Sequence, residues 1–592
     1  MTAPGAMATA LTVIVISAAV TLVASLFVRR GALLMGAVVP PRPDRWHRTP
    51  TPTFGGIAIL IGLLAGALSG GAYQQAAWPI LAVAIGLFAI GWYDDIAPLS
   101  ALAKMVNSLG VAAFFVYTLS TVPTTPAAAL LATALIVAFG GLDNAINLLD
   151  NMDGLAAGVS AIAAIALGLT FQAELGPIIG VIPFALGGAL LGFLFWNHHP
   201  ARLFMGNCGS LAIGGVIAAC AIYAVARAGT FAAAAAAALI LAVPIFDTTF
   251  VVLLRRLAGR STTRGNIDHM SHRLVSAGFS DRAAVYTLYA VALLGAASGY
   301  AVRSQGAYAA PFGIAVALGV LMLSLYLARV PAYAGQDFKA LQAAPFAPLL
   351  ADITFRWHAG EVLLDLVLIT MSYYAAYRLR FEGEALTVFL TGFARSLPAI
   401  VGCQLAALYA SGLYSRMWST FGLHDLATVL RGVAGGVMLS VIAVTYLFKF
   451  EAFSRGVFLI DGVLLTAAII ATRSSFRIFG RMAVKSGAGQ KRVAIYGAGA
   501  RGQLLVREML ANPGMGLKPV AFVDDNPARR AQRIVGVPVH GGIDDLARIL
   551  DKQKIDQVLI SSGTIDESAE ALVRDVCTAR GVAVRRLYLE IR

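Results

Sequence analysis

Two short acidic stretches each close an apolar run of this chain. G-G-L-D-N-A-I-N-L-L-D-N-M-D-G-L carries Asp143, Asn144, Asn147, Asp150, Asn151 and Asp153, and W-Y-D-D-I-A-P-L-S carries Asp94 and Asp95. Ionisable groups set among apolar segments are expensive and usually functional. Carboxylate and amide oxygens are the donors that hard divalent cations take, and such cations offset phosphate charge. The chemistry indicated is phosphate chemistry on a divalent metal at a bilayer surface. Adjacent residues on a helix point about 100° apart, so Asp94 and Asp95 serve different partners. Asn144, Asn147, Asp150 and Asp153 are spaced by three and would line one helix face.

The elements that position these residues are membrane spans. The chain is 58% hydrophobic and 13% charged, about half the charge of an ordinary soluble protein. Eleven apolar runs extend from Ala8–Val28 to Phe312–Ala328, the ninth being Phe231–Leu254. Four more follow near Glu361–Tyr377, Leu397–Tyr414, Val429–Phe448 and Val457–Ile478. Each approaches the roughly 20 residues a bilayer requires. The N-terminus has no basic region before its apolar run, and Arg29 and Arg30 follow it, so it reads as a retained span with its N-terminus outside. On that count the basic loops Pro40–Pro52 and Arg255–Arg282 fall inside, as do both acidic stretches. The net charge of +14 thus reflects loop arginines, and no nucleic-acid motif accompanies it. The four cysteines have no metal-ligand spacing and imply no disulfide framework.

The inner loops carry five motifs in order. They are R-W-H-R-T-P-T-P-T-F-G-G, D-D-I-A-P-L-S-A-L-A-K, N-A-I-N-L-L-D-N-M-D-G-L, N-H-H-P-A-R-L-F-M-G-N-C-G-S and D-H-M-S-H-R-L. Together they resemble the polyprenyl-phosphate N-acetylhexosamine-1-phosphate transferases, which include the bacterial GlcNAc-1-phosphate transferases and the MurNAc-pentapeptide translocase. The resemblance covers about residues 1–330. It implies that a polyprenyl (undecaprenyl) phosphate attacks the β-phosphate of a UDP-sugar and that UMP leaves. It implies Mg²⁺, with Mn²⁺ as the alternative, held by Asp94, Asp95, Asp150 and Asn207. Asp94, Asp95, Asp150 and Asp153 are the expected catalytic residues, Asp94 assisting deprotonation of the lipid phosphate. Asn144, Asn147, Phe204, Asn207, His269, His272, Arg273, Lys104, Arg45 and His47 are the expected substrate contacts, with Phe204 on the uracil and the cationic groups on the pyrophosphate. Asp247 matches a further family position.

The chain departs from the family twice. The usual F-M-G-D-x-G-S has Asn207 in place of its metal-binding Asp, and Ser271 replaces one His of the usual H-L-H-H. An amide oxygen still ligates a hard cation, without charge. The last loop is closer to the GlcNAc branch than to the translocase.

After Arg481 the composition turns charged and mixed. K-R-V-A-I-Y, then G-A-G-A-R-G, then an amphipathic run, then V-A-F-V-D-D and I-D-Q-V-L-I-S-S alternate strand and helix patterns, as a parallel α/β sheet does. Gly497, Gly499 and Gly502 sit where a dinucleotide fingerprint requires them, and Asp524 where a ribose-binding carboxylate would stand. With R-L-R-F-E-G and G-L-Y-S-R-M-W, this part resembles the membrane-anchored N-terminal part of polymer-sugar nucleotide dehydratases. No Tyr-x-x-x-Lys dyad follows Lys491, so a nucleotide-sensing or oligomerising module is expected rather than a second reductase.

The fold expected is a polytopic α-helical membrane protein of about eleven plus four spans with a C-terminal cytoplasmic α/β Rossmann-like domain. Its parts are a transferase domain at 1–330, a linker at 331–358, a four-helix membrane module at 359–482 and a nucleotide-binding domain at 489–592. The location expected is the bacterial inner membrane, as a homodimer. The competing readings are a scaffold or sensor of nucleotide-sugars disabled at Asn207, and a transporter.

Overall fold

The computed structural model describes residues 3–40, 50–119, 125–257, 268–328, 357–415, 423–451, 453–485, 491–511, 515–530, 532–561 and 566–586. The chain divides into two compact units, Met1–Ser474 and Ser475–Arg592.

The first unit is helical apart from one short antiparallel pair, β1 (Val38–Val39) with β2 (Thr51–Pro52). Its helices are α1 (Ala3–Leu34), α2 (Gly55–Ser69), α3 (Trp78–Ile96), α4 (Ala101–Leu119), α5 (Pro126–Leu149), α6 (Leu155–Thr170), α7 (Gln172–Ile179), α8 (Val181–Asn197), α9 (Gly206–Ala228), α10 (Phe231–Ile240), α11 (Ala242–Leu257), α12 (Met270–Ser276), α13 (Asp281–Gln305) and α14 (Ala310–Ala328). Four more, α15 (Trp357–Arg380), α16 (Gly383–Ala410), α17 (Leu423–Phe448) and α18 (Arg455–Lys485), follow. Among the described residues, nine helices are long and apolar enough to cross a membrane, and eleven if each of two bent pairs counts as one span. The protein is therefore a polytopic α-helical membrane protein, and each expected span falls on one helix or on two consecutive ones. Helices α2 and α8, and the Ala310–Leu321 part of α14, are shorter apolar segments.

One expected span is broken. Phe231–Leu254 is expected as one continuous span, but α10 and α11 meet at 77°. Pro244 lies four residues after Ile240, so it offers no N–H to that carbonyl and its ring crowds it. The break turns α11 and carries Asp247 with it.

The central helix is α9, buried along most of its length between α3 and α5. Its small residues permit this. A Cβ on Gly215 would lie 2.1 Å from Leu87 Cδ1, and one on Gly214 would lie 2.7 Å from Asp143 Oδ1. Close approach through small residues is the usual route to helix association in lipid, where hydrophobic burial gives no net drive. In α15–α18 the buried Arg473 donates to the buried Asp365 at 2.7 Å, and the neutral Gln404 amide donates to Asp461 at 2.6 Å.

In the second unit, β3 (Lys491–Tyr496), β4 (Leu517–Val523), β7 (Gln557–Ile560) and β8 (Ala583–Arg586) form one parallel sheet in the order β4-β3-β7-β8. Helices α19 (Ala500–Ala511), α20 (Leu546–Gln553) and α21 (Glu567–Thr578) connect them, and β5 (Arg533–Ile534) pairs with β6 (Val537–Pro538). Val493 and Ile495 pack with Leu505 and Val506, while Ala494 and Tyr496 pack with Ile549 and Leu550. Both faces of the sheet are covered, as parallel strands require. The α/β class expected of this part is the class observed.

Candidate functional site

Helix α3 ends on the acidic pair, and its two carboxylates diverge as the helical rotation demands. Asp94 is 3% exposed; its Oδ1 accepts the Leu99 N–H at 2.7 Å and its Oδ2 lies 2.6 Å from Lys104 Nζ at the start of α4. Asp95 turns instead to the first turn of α9. Its oxygens accept the N–H groups of Asn207 at 2.9 Å and Cys208 at 3.0 Å. The first N–H groups of a helix have no intrahelical partner and carry its positive end, so a carboxylate is favourable there. The contact needs glycine on both sides. Gly206 sits at φ 73° beside the Asp95 carboxylate, and a Cβ on Gly91 would lie 2.3 Å from the Asn207 carbonyl oxygen.

Helix α5 brings the second stretch to the same helix end. Asn147 Nδ2 donates to Ser210 Oγ at 2.7 Å and to Asn207 Oδ1 at 3.3 Å. Asn144 and Asp150 are exposed on either side. The expected four-residue face is cut short. The helix stops at Leu149, Asp150 caps it, and Gly154 at φ 76° starts α6. Asp153 therefore lies in the turn, outside the row. Its Oδ2 accepts Ala201 N–H and faces His199 Nδ1, each at 3.0 Å, tying this turn to the loop before α9. Asn197 reinforces the tie, accepting from Gly154 N at 3.0 Å and donating to the Leu203 carbonyl at 3.1 Å.

The first and fourth motifs join through backbone. Phe204 N–H donates to the Pro52 carbonyl at 2.9 Å, Gly55 N–H to the Phe204 carbonyl at 2.8 Å and Gly56 N–H to the Met205 carbonyl at 2.8 Å. The Phe204 ring stays half-buried. Arg45 and His47 lie outside the described residues.

In the fifth motif, Asp247 of α11 faces His269 Nδ1 at 2.7 Å and accepts the Met270 N–H at 2.7 Å. That pairing fixes the ring and leaves Nε2 as its other polar atom. Two expected cationic contacts change character. His272 is buried, and burial, with His269 second, pushes its pKa from 6.5 to about 4, so at neutral pH it is an uncharged imidazole. Arg273 is 5% exposed and donates to the carbonyls of Asp268 at 3.2 Å and Leu327 at 3.3 Å, with its guanidinium 5.6 Å from the centre of the Phe250 ring. Arg255 holds Asp268 at 3.0 Å. Arg273 thus anchors the loop from within instead of presenting a cation outward. Ser271 Oγ donates to Asn151 Oδ1 at 2.7 Å, joining the fifth motif to the third. Ser210, Asn197, His199 and Asp268 are the positioning residues that sequence reasoning passed over, although all stand in or beside the motifs.

Oxygen donors dominate where α3, α5 and α9 meet. Among the described residues no three His, Cys, Asp or Glu side chains gather closely enough to hold a metal. Asp95 and Asn207 meet at the α9 end, Asp94 is shared with Lys104, and Asp150 is exposed. That donor set suits a cation that takes one or two carboxylates and completes its shell from water and substrate phosphate, as Mg²⁺ does.

In the second unit, the glycine turn follows β3 at the point where the strand order reverses, the usual ligand crevice of such sheets. Gly497 has φ 100°, and a Cβ on Gly502 would lie 2.0 Å from the Gly497 carbonyl oxygen, whereas Gly499 faces open space up to Arg529 at 3.8 Å. Asp524 Oδ2 accepts from Ala498 N–H at 2.7 Å and from Arg529 Nη1 at 3.0 Å. Burial alone would raise its pKa, but these bonds and the Asn526 amide outweigh it and hold the carboxyl below its ordinary range.

Comparison with known proteins gives two family matches. The family described as glycosyl transferase family 4 matches residues 77–225, and a CoA-binding domain family matches residues 404–578. The chain is 32% identical over 337 residues to a probable undecaprenyl-phosphate N-acetylglucosaminyl 1-phosphate transferase of Bacillus subtilis, covering 55% of this chain and 93% of the relative. It is 33% identical to a decaprenyl-phosphate N-acetylglucosaminephosphotransferase of Mycolicibacterium smegmatis, covering 53% and 87%. It is 32% identical to a phospho-N-acetylmuramoyl-pentapeptide-transferase of Synechococcus, covering 46% and 89%.

Proposed function

This chain belongs to the polyprenyl-phosphate N-acetylhexosamine-1-phosphate transferase family, and on that footing we propose that it moves GlcNAc-1-phosphate from UDP-GlcNAc to undecaprenyl phosphate. The observation that carries the reading is the joining of all five motifs by direct hydrogen bonds around the N-terminus of α9 and the end of α5. Such a cluster suits phosphoryl transfer, which needs alignment and charge neutralisation more than covalent help.

An oxygen of the lipid phosphate attacks the β-phosphorus of the UDP-sugar. The bond from that phosphorus to the α,β-bridging oxygen breaks, and UMP leaves. Lys104 sets a cation against Asp94 at the start of α4, a placement suited to the incoming lipid phosphate. Asp94 would take the proton if the phosphate arrives as its monoanion. Asn147, Asn207 and Ser210 offer donors and acceptors to the nucleotide-sugar. His269, oriented by Asp247, would donate to the pyrophosphate. Mg²⁺ held by Asp95 and Asn207, with Asp150 capping the helix that carries Asn147, would supply charge neutralisation on the diphosphate. The motif loops would face the cytoplasm, as their basic residues favour.

For the second unit we propose a nucleotide-diphosphate ligand at the Gly497–Gly502 turn, supported by the crevice at the strand reversal and by the CoA-binding family match. Homodimerisation is proposed with it.

The test is radiolabelled UDP-GlcNAc with undecaprenyl phosphate and Mg²⁺ in proteoliposomes. Label passing into the lipid phase with stoichiometric UMP supports the transferase. Uptake into the lumen without lipid label would indicate transport, and neither would indicate a scaffold.

A further inference from the structure

Asp143 is a charged-type residue placed deep in α5, fully buried, and the reaction as derived makes no use of it. Its Oδ2 accepts from Ser108 Oγ of α4 at 2.5 Å. Its Oδ1 lies against α9, where a Cβ on Gly214 would approach it to 2.7 Å, and this oxygen has no hydrogen-bond partner among the described residues. Burying an acceptor in this way is costly, so its retention calls for a compensating use.

The use is legible in the spacing. Each of the three helices that meet at Asp143 carries a site residue four positions away, one helical turn along the same face. On α4, Ser108 follows Lys104, which pairs with Asp94 at 2.6 Å. On α5, Asp143 precedes Asn147, which bonds Ser210 and Asn207. On α9, Gly214 follows Ser210. One layer below the polar cluster, the same three helices are therefore locked together at a single carboxylate. A rotation of α4 that freed Ser108 would swing Lys104 away from Asp94, and only a glycine at 214 lets α9 approach closely enough to bring Ser210 under Asn147.

We infer that Asp143 is a positioning residue for the transfer site, setting the rotation of α4 through Ser108 and the seat of α9 through Gly214, so that Lys104 meets Asp94 and Asn147 meets Ser210. The inference rests on the transferase reading for its kinetic test, and on geometry alone for a second one.

The variants are Ser108→Ala, Asp143→Ala, Asp143→Asn and the double alanine, each in the full chain in proteoliposomes. An amide oxygen still accepts from Ser108, so Asp143→Asn should keep most of the activity. Both single alanine variants should lose about tenfold in kcat, the scale of one lost buried hydrogen bond. KM for UDP-GlcNAc should stay within about twofold in Ser108→Ala, because that change frees α4 and leaves Asn147 and Ser210 in contact on α5 and α9. The double variant should be no slower than Asp143→Ala, since both changes break one connection. Independently of turnover, Lys104 labelling by an amine-reactive probe, read by mass spectrometry, should quicken severalfold in both alanine variants as Asp94 loses its hold. Unchanged kcat and unchanged Lys104 labelling in Ser108→Ala would overturn the inference, and so would additive losses in the double variant. If Asp143→Ala fails to insert, Ser108→Ala alone decides. If the wild type transfers no sugar-phosphate, the functional reading falls while the labelling still decides the positioning.

Discussion

Replacing Asp95 by Asn probes the joint on which the site hangs. In the native protein one carboxylate accepts two helix-end N–H groups, at 2.9 and 3.0 Å. An amide has one oxygen, so the variant keeps one bond and turns an NH₂ toward the other N–H. A hydrogen bond to a charged group contributes about 1.5–3 kcal/mol, and the one that survives falls to the neutral scale of about 1 kcal/mol. Loss of the negative charge at the α9 N-terminus adds about 0.3–1 kcal/mol. The sum is about 2–6 kcal/mol, concentrated where Asn207 and Ser210 emerge. If the strain appears in the transition state, turnover falls by about 30- to 25,000-fold, at 1.36 kcal/mol per tenfold. The assay is transfer of labelled GlcNAc-1-phosphate to undecaprenyl phosphate, with gel filtration in detergent confirming a monodisperse protein. A well-folded Asp95→Asn protein with turnover within about threefold of wild type would refute the reasoning, because about 0.7 kcal/mol is too little for the bonds described.

Asn207→Asp should preserve or strengthen the Mg²⁺ dependence of transfer, since it restores a charged oxygen beside Asp95; loss of metal response in a Mg²⁺ titration would assign Asn207 another task. His272 binds its proton more weakly when folded, its pKa moving from 6.5 to about 4, so the unfolded chain takes up more protons between those values and stability should fall as pH drops through that window. Thermal unfolding in detergent measures this, and His272→Gln should flatten the dependence. Gly56→Ala should unseat α9, because its Cβ would lie 2.3 Å from the Gly209 nitrogen, while Gly86→Ala meets only Val111 at 3.8 Å and should fold normally; comparable thermal stability of the two would contradict the close packing described.

The acidic and amide-rich helix ends were readable without coordinates, because oxygen-bearing side chains at segment ends stand out where the sequence is apolar. The membrane class and the α/β class of the last part follow from residue type and period, while the expectation that Asp94, Asp95, Asn147, Asn207 and His269 act together came from the family resemblance of their motifs. What each of those residues touches did not follow. Spacing by three suggested one face for Asn147, Asp150 and Asp153, but the helix end falls between them, and a cap is decided by what packs beyond it. Arg273 and His272 read as outward cations because charge is all a sequence shows of them; burial, which depends on distant segments, made one an internal anchor and the other a neutral ring. Asp143 belonged to the polar stretch by its type, yet its partners come from α4 and α9, 35 and 71 positions away in the chain. Local periodicity determines which residues share a helix face, since it depends only on the turn of the backbone. Which faces meet is settled by close packing between helices remote in sequence, and the polar contacts of the site are a consequence of that packing.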